Sequence, residues 1–262
     1  MITVTANAFH EKLHIEEDEI VLNGPPAFLS GYVFLSNNEN ETLFIRDLPV
    51  LKTAAAKGAA PMPEAIRFIT SLLPGEQKKH RLRHQLPRTT PPGVYESVVN
   101  VGGKEKKLRL IVQQNIEIEL NPTDLFFQGV KPGQKYSTLL SCSNIGNVAF
   151  AIPDIKHVTT LDADYLCRAA SIAMRDKGSE GFNAMMDELT KNVYKDMAGW
   201  AVVDIEESGK VLQPGESIQL HFNITLPDNV DPKRDYQGNV RFWNKTISYS
   251  IKSHTVEQPK SK

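Results

Sequence analysis

Two cysteines, seven histidines and a dense row of cations are the side chains of this chain best equipped for chemistry. Cys142 and Cys167 are its only thiols, which excludes a disulfide scaffold and any four-cysteine zinc site. Cys142 falls in a strand-like segment and Cys167 in a helical one, where a cysteine ordinarily serves as a small buried hydrophobe. His157 and Asp154 lie near Cys167 in sequence, which permits a Cys-His pair and hence a hydrolase or redox centre; that reading requires Cys167 to be reactive. There is no Gly-x-Ser-x-Gly elbow and no phosphate-cradling glycine loop, and Gly102-Gly103 reads as a hairpin turn. The chain therefore reads as no enzyme, with no catalytic residue, cofactor or metal assigned.

His80 and His84 sit four apart, a spacing that suggests a metal site on a helix. They fall on a strand, where four residues span about 13 Å at about 3.3 Å each, too far to share one ion. His10 and His14 fail on the same ground. A mixed site taking one histidine from each strand stays open beside the plainer reading, in which His80 and His84 line a sandwich rim or a face opened to solvent.

The cations cluster. Between positions 77 and 110 stand Lys78, Lys79, Arg81, Arg83, Arg88, Lys104, Lys106, Lys107 and Arg109 against Glu96 and Glu105, whereas residues 1 to 50 carry eight acidic side chains against Lys12 and Arg46. One reading pairs acidic and basic strands side by side in a sheet. The other is a basic face, centred on Lys79, Arg81 and Arg83, for an acidic protein, a polysaccharide or a nucleic acid. The whole chain balances 30 Lys+Arg against 31 Asp+Glu, which excludes binding by bulk positive charge, and few aromatics interleave with the cations in sequence, so nucleic acid is disfavoured.

The elements that must carry these residues follow from an internal repeat. Ser36-Asn37-Asn38-Glu39-Asn40 recurs 107 positions on as Ser143-Asn144-Ile145-Gly146-Asn147, and Leu72-Leu73-Pro74-Gly75-Glu76 recurs 140 positions on as Leu212-Gln213-Pro214-Gly215-Glu216. Each Pro-Gly is a turn entering a strand, and Ser217 to Leu226 alternates Ile218, Leu220, Phe222, Ile224 and Leu226 with polar residues, the pattern of a strand buried on one side. Short strands punctuated this way predict an all-β chain: two tandem antiparallel β-sandwiches, residues 1–113 and 114–254, with a flexible tail at 255–262. The seam near 112–116 has no Gly/Ser-rich linker, so a restricted interdomain angle is expected. At 262 residues each half is long enough to bury its own core.

The second half, from Leu120-Asn121-Pro122 through Val130-Lys131-Pro132-Gly133, Ser143-Asn144-Ile145-Gly146-Asn147 and Pro214-Gly215-Glu216, resembles hydin-type and bacterial immunoglobulin-like domains over residues 116–251. In the first half Asn38-Glu39 replaces the Ile-Gly pair. The resemblance implies two immunoglobulin-like, seven-stranded modules with an interaction or structural role and no catalytic residues. The paired cysteines and core tryptophan of antibody domains are absent.

The second half also holds about 33 extra residues, within which the period changes to helical. Asp162 to Asp164 open a helix that Lys177-Gly178 ends, and a second helix starting at Ser179-Glu180 carries Phe182, Met185, Met186, Leu189, Val193 and Met197 on one stripe. An α-helical hairpin insert at about 160–198 is thus predicted. Its stripe either packs on the sandwich, covering a sheet face or edge, or docks a partner. The functional expectation is a non-catalytic protein-binding or structural module, with a protein partner or a homo-oligomer, and with Phe182, Met185, Met186, Leu189, Val193, Met197, Lys79, Arg81 and Arg83 as candidate contacts. The alternative is a two-domain periplasmic chaperone acting by β-strand addition. No stretch approaches a membrane span and the start carries no signal sequence, so the expected compartment is the cytoplasm, or the periplasm or exterior if Met1 replaces a removed signal. Lys52 to Pro61, rich in alanine, reads as a mobile loop.

Overall fold

The computed structural model describes residues 12–51, 65–195 and 199–253. The tail at 255–262, the Lys52 to Pro61 loop and Met197 lie outside the described residues. The first half forms β1 (Leu13–Ile15), β2 (Glu19–Gly24), β3 (Leu29–Asn37), β4 (Leu43–Leu51), β5 (Ala65–Leu72), β6 (Gln77–His84), β7 (Gly93–Val101) and β8 (Lys104–Val112). The second forms β9 (Ile118–Asn121), β10 (Asp124–Gln128), β11 (Lys135–Asn144), β12 (Phe150–Ala151) and β13 (His157–Asp162). Helices α1 (Tyr165–Lys177) and α2 (Phe182–Lys195) follow, then β14 (Trp200–Ile205), β15 (Val211–Leu212), β16 (Ser217–Thr225), β17 (Tyr236–Phe242) and β18 (Lys245–Lys252).

The chain divides into two compact units, one of residues 1–117 with 144–149 and 213–215, the other of the remainder. Each is an immunoglobulin-like β-sandwich made from a curled sheet, and the second carries the helical hairpin between β13 and β14. The strand order is β1-β3-β2-β8-β7-β4-β5 in the first, with β6 on β3, and β10-β18-β17-β13-β14-β16-β11-β9 in the second. Among the described residues the first unit thus has eight strands and the second ten, counting β12 and β15, which pair with each other, where the family resemblance implied seven. Each unit has its own core. Leu22, Leu35, Ile66, Leu82 and Leu110 belong to the first, and Cys142, Leu220, Phe222, Phe242 and Ile247 to the second.

The repeat read from sequence reappears as identical strand pairing. Ser36 faces Gln77 across β3 and β6, and Ser143 faces Ser217 across β11 and β16. The repeated asparagines explain why. Asn37 and Asn144 are fully buried, and each donates Nδ2 to the carbonyl four residues on (Glu41, 2.8 Å; Val148, 2.9 Å). Each also accepts on Oδ1 from the backbone N–H two residues on (Glu39, 3.0 Å; Gly146, 3.1 Å). Each asparagine thereby closes the turn after its strand from within. Gly75 and Gly215 both take the left-handed conformation, and both donate their N–H back to that same asparagine's carbonyl.

At the base of the hairpin, buried Asp162 pairs with Arg168 of α1 and with Arg234 at 3.2 Å. Ala169 and Ala173 are the buried residues of α1, small enough to let α2 approach closely. No helix among the described residues is long and apolar enough to cross a membrane.

Candidate functional site

The basic residues of β6 alternate with the strand's core-facing ones. Leu82 points into the first core, so Lys79, Arg81 and Arg83 point outward and are exposed. The neighbouring strand supplies the aromatics that the β6 segment lacks. Through the β3–β6 register Tyr32 lies opposite Arg81 and Phe34 opposite Lys79, with Phe28 just before β3. Lys79 Nζ sits 4.8 Å from the Tyr32 ring centroid and 5.5 Å from that of Phe34, and the guanidinium groups of Arg81 and Arg83 each sit 5.5 Å from that of Phe28. Phe28, Tyr32 and Phe34 are 44%, 56% and 43% exposed, large values for aromatic rings. Cations and aromatics therefore interleave across strands rather than along one. That corrects the expectation of a face without stacking platforms.

The two readings of the charge divide between strands. Three of the four β8 cations pair with acidic neighbours: Lys107 with Glu96 at 3.1 Å, Arg109 with Glu96 at 3.7 Å and Glu19 at 3.8 Å, and Lys106 with Asp18 at 3.1 Å. Lys79, Arg81 and Arg83 have no carboxylate partner among the described residues; Arg81 instead donates to Ser30 Oγ at 3.1 Å.

His80 and His84 are half-buried on the inward side of β6, at the positions that Leu220 and Ile224 occupy on β16. Burial lowers the basicity of both, reinforced at His80 by the charge of Lys78. The His80 ring lies 5.0 Å from that of Phe68 on β5. These are rim histidines. A cavity of about 500 Å³ opens beside them, lined by Phe28, Ala65, Arg67, Arg83, His84 and Gln85.

None of the described residues of the hairpin's apolar stripe belongs to either core, and α2 packs against α1. Met185, Leu189 and Val193 are half-buried, Met186 is exposed, and Phe182 is 71% exposed. Tyr194, Leu166 and Met174, which the stripe left out, are exposed as well.

On the second unit Glu206, Glu207 and His221 bring their ligand-type atoms within 4.8 Å of one another. The geometry is that of an internal pair: His221 Nδ1 lies 2.8 Å from Glu207 Oε1, and the His221 backbone N–H donates to Oε2 of the same carboxylate at 2.8 Å. Cys142 is buried, which pushes its thiol up to about 11, and Cys167 is exposed on α1. Asp154 pairs with Lys156 at 2.6 Å.

No protein-family model and no curated protein matches this chain. Among solved structures it is similar to a Porphyromonas gingivalis W83 protein of unknown function, at 12% identity over 92% of this chain and 99% of that one, TM-score 0.24. It is similar to PapD-like domain 7 of human CEP192, at 12% identity over 54% of this chain and 88% of that one, TM-score 0.30. The class 5 fimbriae chaperone CfaA aligns at 13% identity over 93% of this chain and 100% of that one, TM-score 0.24. Likenesses this distant carry no argument about activity.

Proposed function

We propose that this chain is a non-catalytic module of the hydin-type, immunoglobulin-like kind that binds or assembles a protein partner. The observation that carries the reading is the hairpin. It is tied at its base by the Asp162 pairs, lends no residue to either core, and holds Phe182, Met186 and Tyr194 out to solvent. Exposed, adaptable apolar side chains on a fixed base suit a docking element. The chemistry around the thiols supports the non-catalytic part. Cys142 is held protonated by burial, and Asp154 is engaged by Lys156 rather than free to orient His157.

The test replaces residues 164–198 with a four-residue Gly/Ser linker, keeping Asp162 and Gly199, and compares affinity capture from the native cell. The expected product stays folded and unfolds cooperatively, with a thermal midpoint lowered only by the loss of the Arg168–Asp162 pair, and loses a specific partner. A product that aggregates, or that keeps every partner, overturns the docking role. A second reading, strand addition in the manner of a two-domain chaperone, is favoured by the edge of β6, which is paired on one side only among the described residues.

A further inference from the structure

We propose that the free edge of β6 takes an extended acidic segment of a partner protein as an added strand, its carboxylates lying against Arg83 and Arg81. The inference rests on the strand-addition reading and names its site and partner chemistry.

The hydrogen-bonding sense of β6 follows from its neighbour. Phe34 donates its backbone N–H to the Glu17 carboxylate at 3.0 Å and accepts from the Glu16 N–H at 3.2 Å, so its backbone groups point away from β6. Its cross-strand partner Lys79 therefore points its N–H and C=O away from β3, and by antiparallel alternation so do Arg81 and Arg83. No described residue hydrogen-bonds these groups. A row of unpaired backbone groups is a template for a further strand, and here their own side chains make it cationic.

The second unit shows what fills this position when the chain supplies it. There β14 pairs with β16, setting Asp204 opposite Asn223 and Ile205 opposite Phe222, while Glu206 N–H donates to the His221 carbonyl at 3.3 Å. The repeat equates Asn223 with Arg83, Phe222 with Leu82 and His221 with Arg81. The covering strand alternates buried Ala201, Val203 and Ile205 with exposed Val202, Asp204 and Glu206. A strand of that pattern on β6 would place its Asp against Arg83 and its next acidic residue against Arg81. Its apolar residues would face Leu82, the rim histidines and the cavity that Arg67 helps to line.

Charge then selects the occupant. A second copy pairing through β6 sets cations opposite cations, which is unfavourable. The chain's segments 1–11 and 52–64 carry a single carboxylate each, Glu11 and Glu64. An acidic, alternating strand from another protein meets both the backbone and the charge requirement.

The test uses the full chain and a synthetic, fluorescent peptide with the sequence of residues 201–207, Ala-Val-Val-Asp-Ile-Glu-Glu. Comparison arms are the same peptide with Lys for each acidic residue, the same peptide N-methylated on alternate amides, and a ten-residue oligothymidylate. The acidic peptide is expected to bind. Its affinity should fall about tenfold or more for Arg81→Glu/Arg83→Glu and for the N-methylated peptide, and further for Arg81→Pro, which removes an outward N–H together with the charge, than for Arg81→Gln, which removes the charge alone. On binding, the amides of Lys79, Arg81 and Arg83 should become protected from hydrogen exchange. Absence of binding, tighter binding of oligothymidylate, or equal binding of the N-methylated peptide without amide protection overturns the proposal. The last result leaves the binding-module reading standing, since that is tested separately through the hairpin.

Discussion

Strands β6 and β16 descend from one repeat, keep one register and enter through the same Pro-Gly turn, yet among the described residues β16 is hydrogen-bonded to a strand on both sides and β6 on one. Under the cover of β14, β16 buries Leu220, Phe222 and Ile224 completely; on its other face Gln219 and His221 are exposed, while Asn223 is buried beside Asp204. Without such a cover among the described residues, β6 keeps only Leu82 fully buried, and the flanking inward positions are His80 and His84. Its outward positions become Lys79, Arg81 and Arg83. A lost neighbour thus changes both faces of a strand: apolar residues give way to amphipathic rings at the rim, and neutral ones to cations that resist unwanted pairing.

Substitution at the shared core position gives the largest effect. Phe222→Ala should destabilise the second unit by about 3–5 kcal/mol and Leu82→Ala the first by about 2–5 kcal/mol, with Leu82→Ala the smaller because an open rim collapses more readily around a cavity. Chemical denaturation followed by amide signals from each unit separately would check this, and a larger loss at Leu82 would break the contrast. Exchanging the outward residues tests the edge itself. Lys79→Gln/Arg81→His/Arg83→Asn gives β6 the outward side chains of β16 without its cover, and the variant should self-associate in sedimentation while the parent edge does not. If it stays dispersed, the edge is not open.

Much of this architecture was legible in the residues. Polar-apolar alternation and the Asn and Pro-Gly punctuation located both sandwiches and their repeat, because each mark has a local cause that the structure shows: a buried asparagine closing a turn and a glycine at positive φ. The helical insert announced itself by its change of period. Hidden were the facts created by pairing. Phe28, Tyr32 and Phe34 lie about fifty positions before the cations they contact, so no local window joins them. The division of the cations into paired β8 and uncovered β6 depends on which strands are neighbours. The hairpin stripe has a spacing that fits a core as well as a docking face, so sequence left both open.

Amide exchange sharpens the same contrast without any mutation. In the free protein the His221 N–H is held by the Glu207 carboxylate at 2.8 Å, whereas the equivalent Arg81 N–H has no described acceptor. The Arg81 amide should exchange faster than that of His221, by roughly tenfold or more if local opening at the covered strand costs over about 1.4 kcal/mol. Equal protection of the two would mean that β6 is covered.

The smallest effect is a pH dependence that only the covered strand should show. Burial works to raise the Glu207 carboxyl, but the ring and backbone N–H bonds from His221 outweigh it and hold the group below its ordinary 4.5. The bond to Glu207 in turn lifts the His221 imidazole above its ordinary 6.5, against the opposing effect of burial. The signs run in opposite directions. The raised histidine contributes stability that is fully present below about pH 6.5 and fades as pH rises through its folded value; the lowered carboxyl contributes above about pH 4.5 and fades as pH falls through its own. Both contributions coexist near pH 5.5. The loss of thermal midpoint on His221→Gln should therefore be greatest there and shrink toward pH 8 to 9, about two units above the ordinary imidazole value. Arg81→Gln, at the equivalent place on β6, removes a charge that does not titrate in this range, so its effect should stay level with pH. A level profile at His221 would show that its bond to Glu207 acts through shape alone, and the covered strand would then differ from the open one in packing but not in charge.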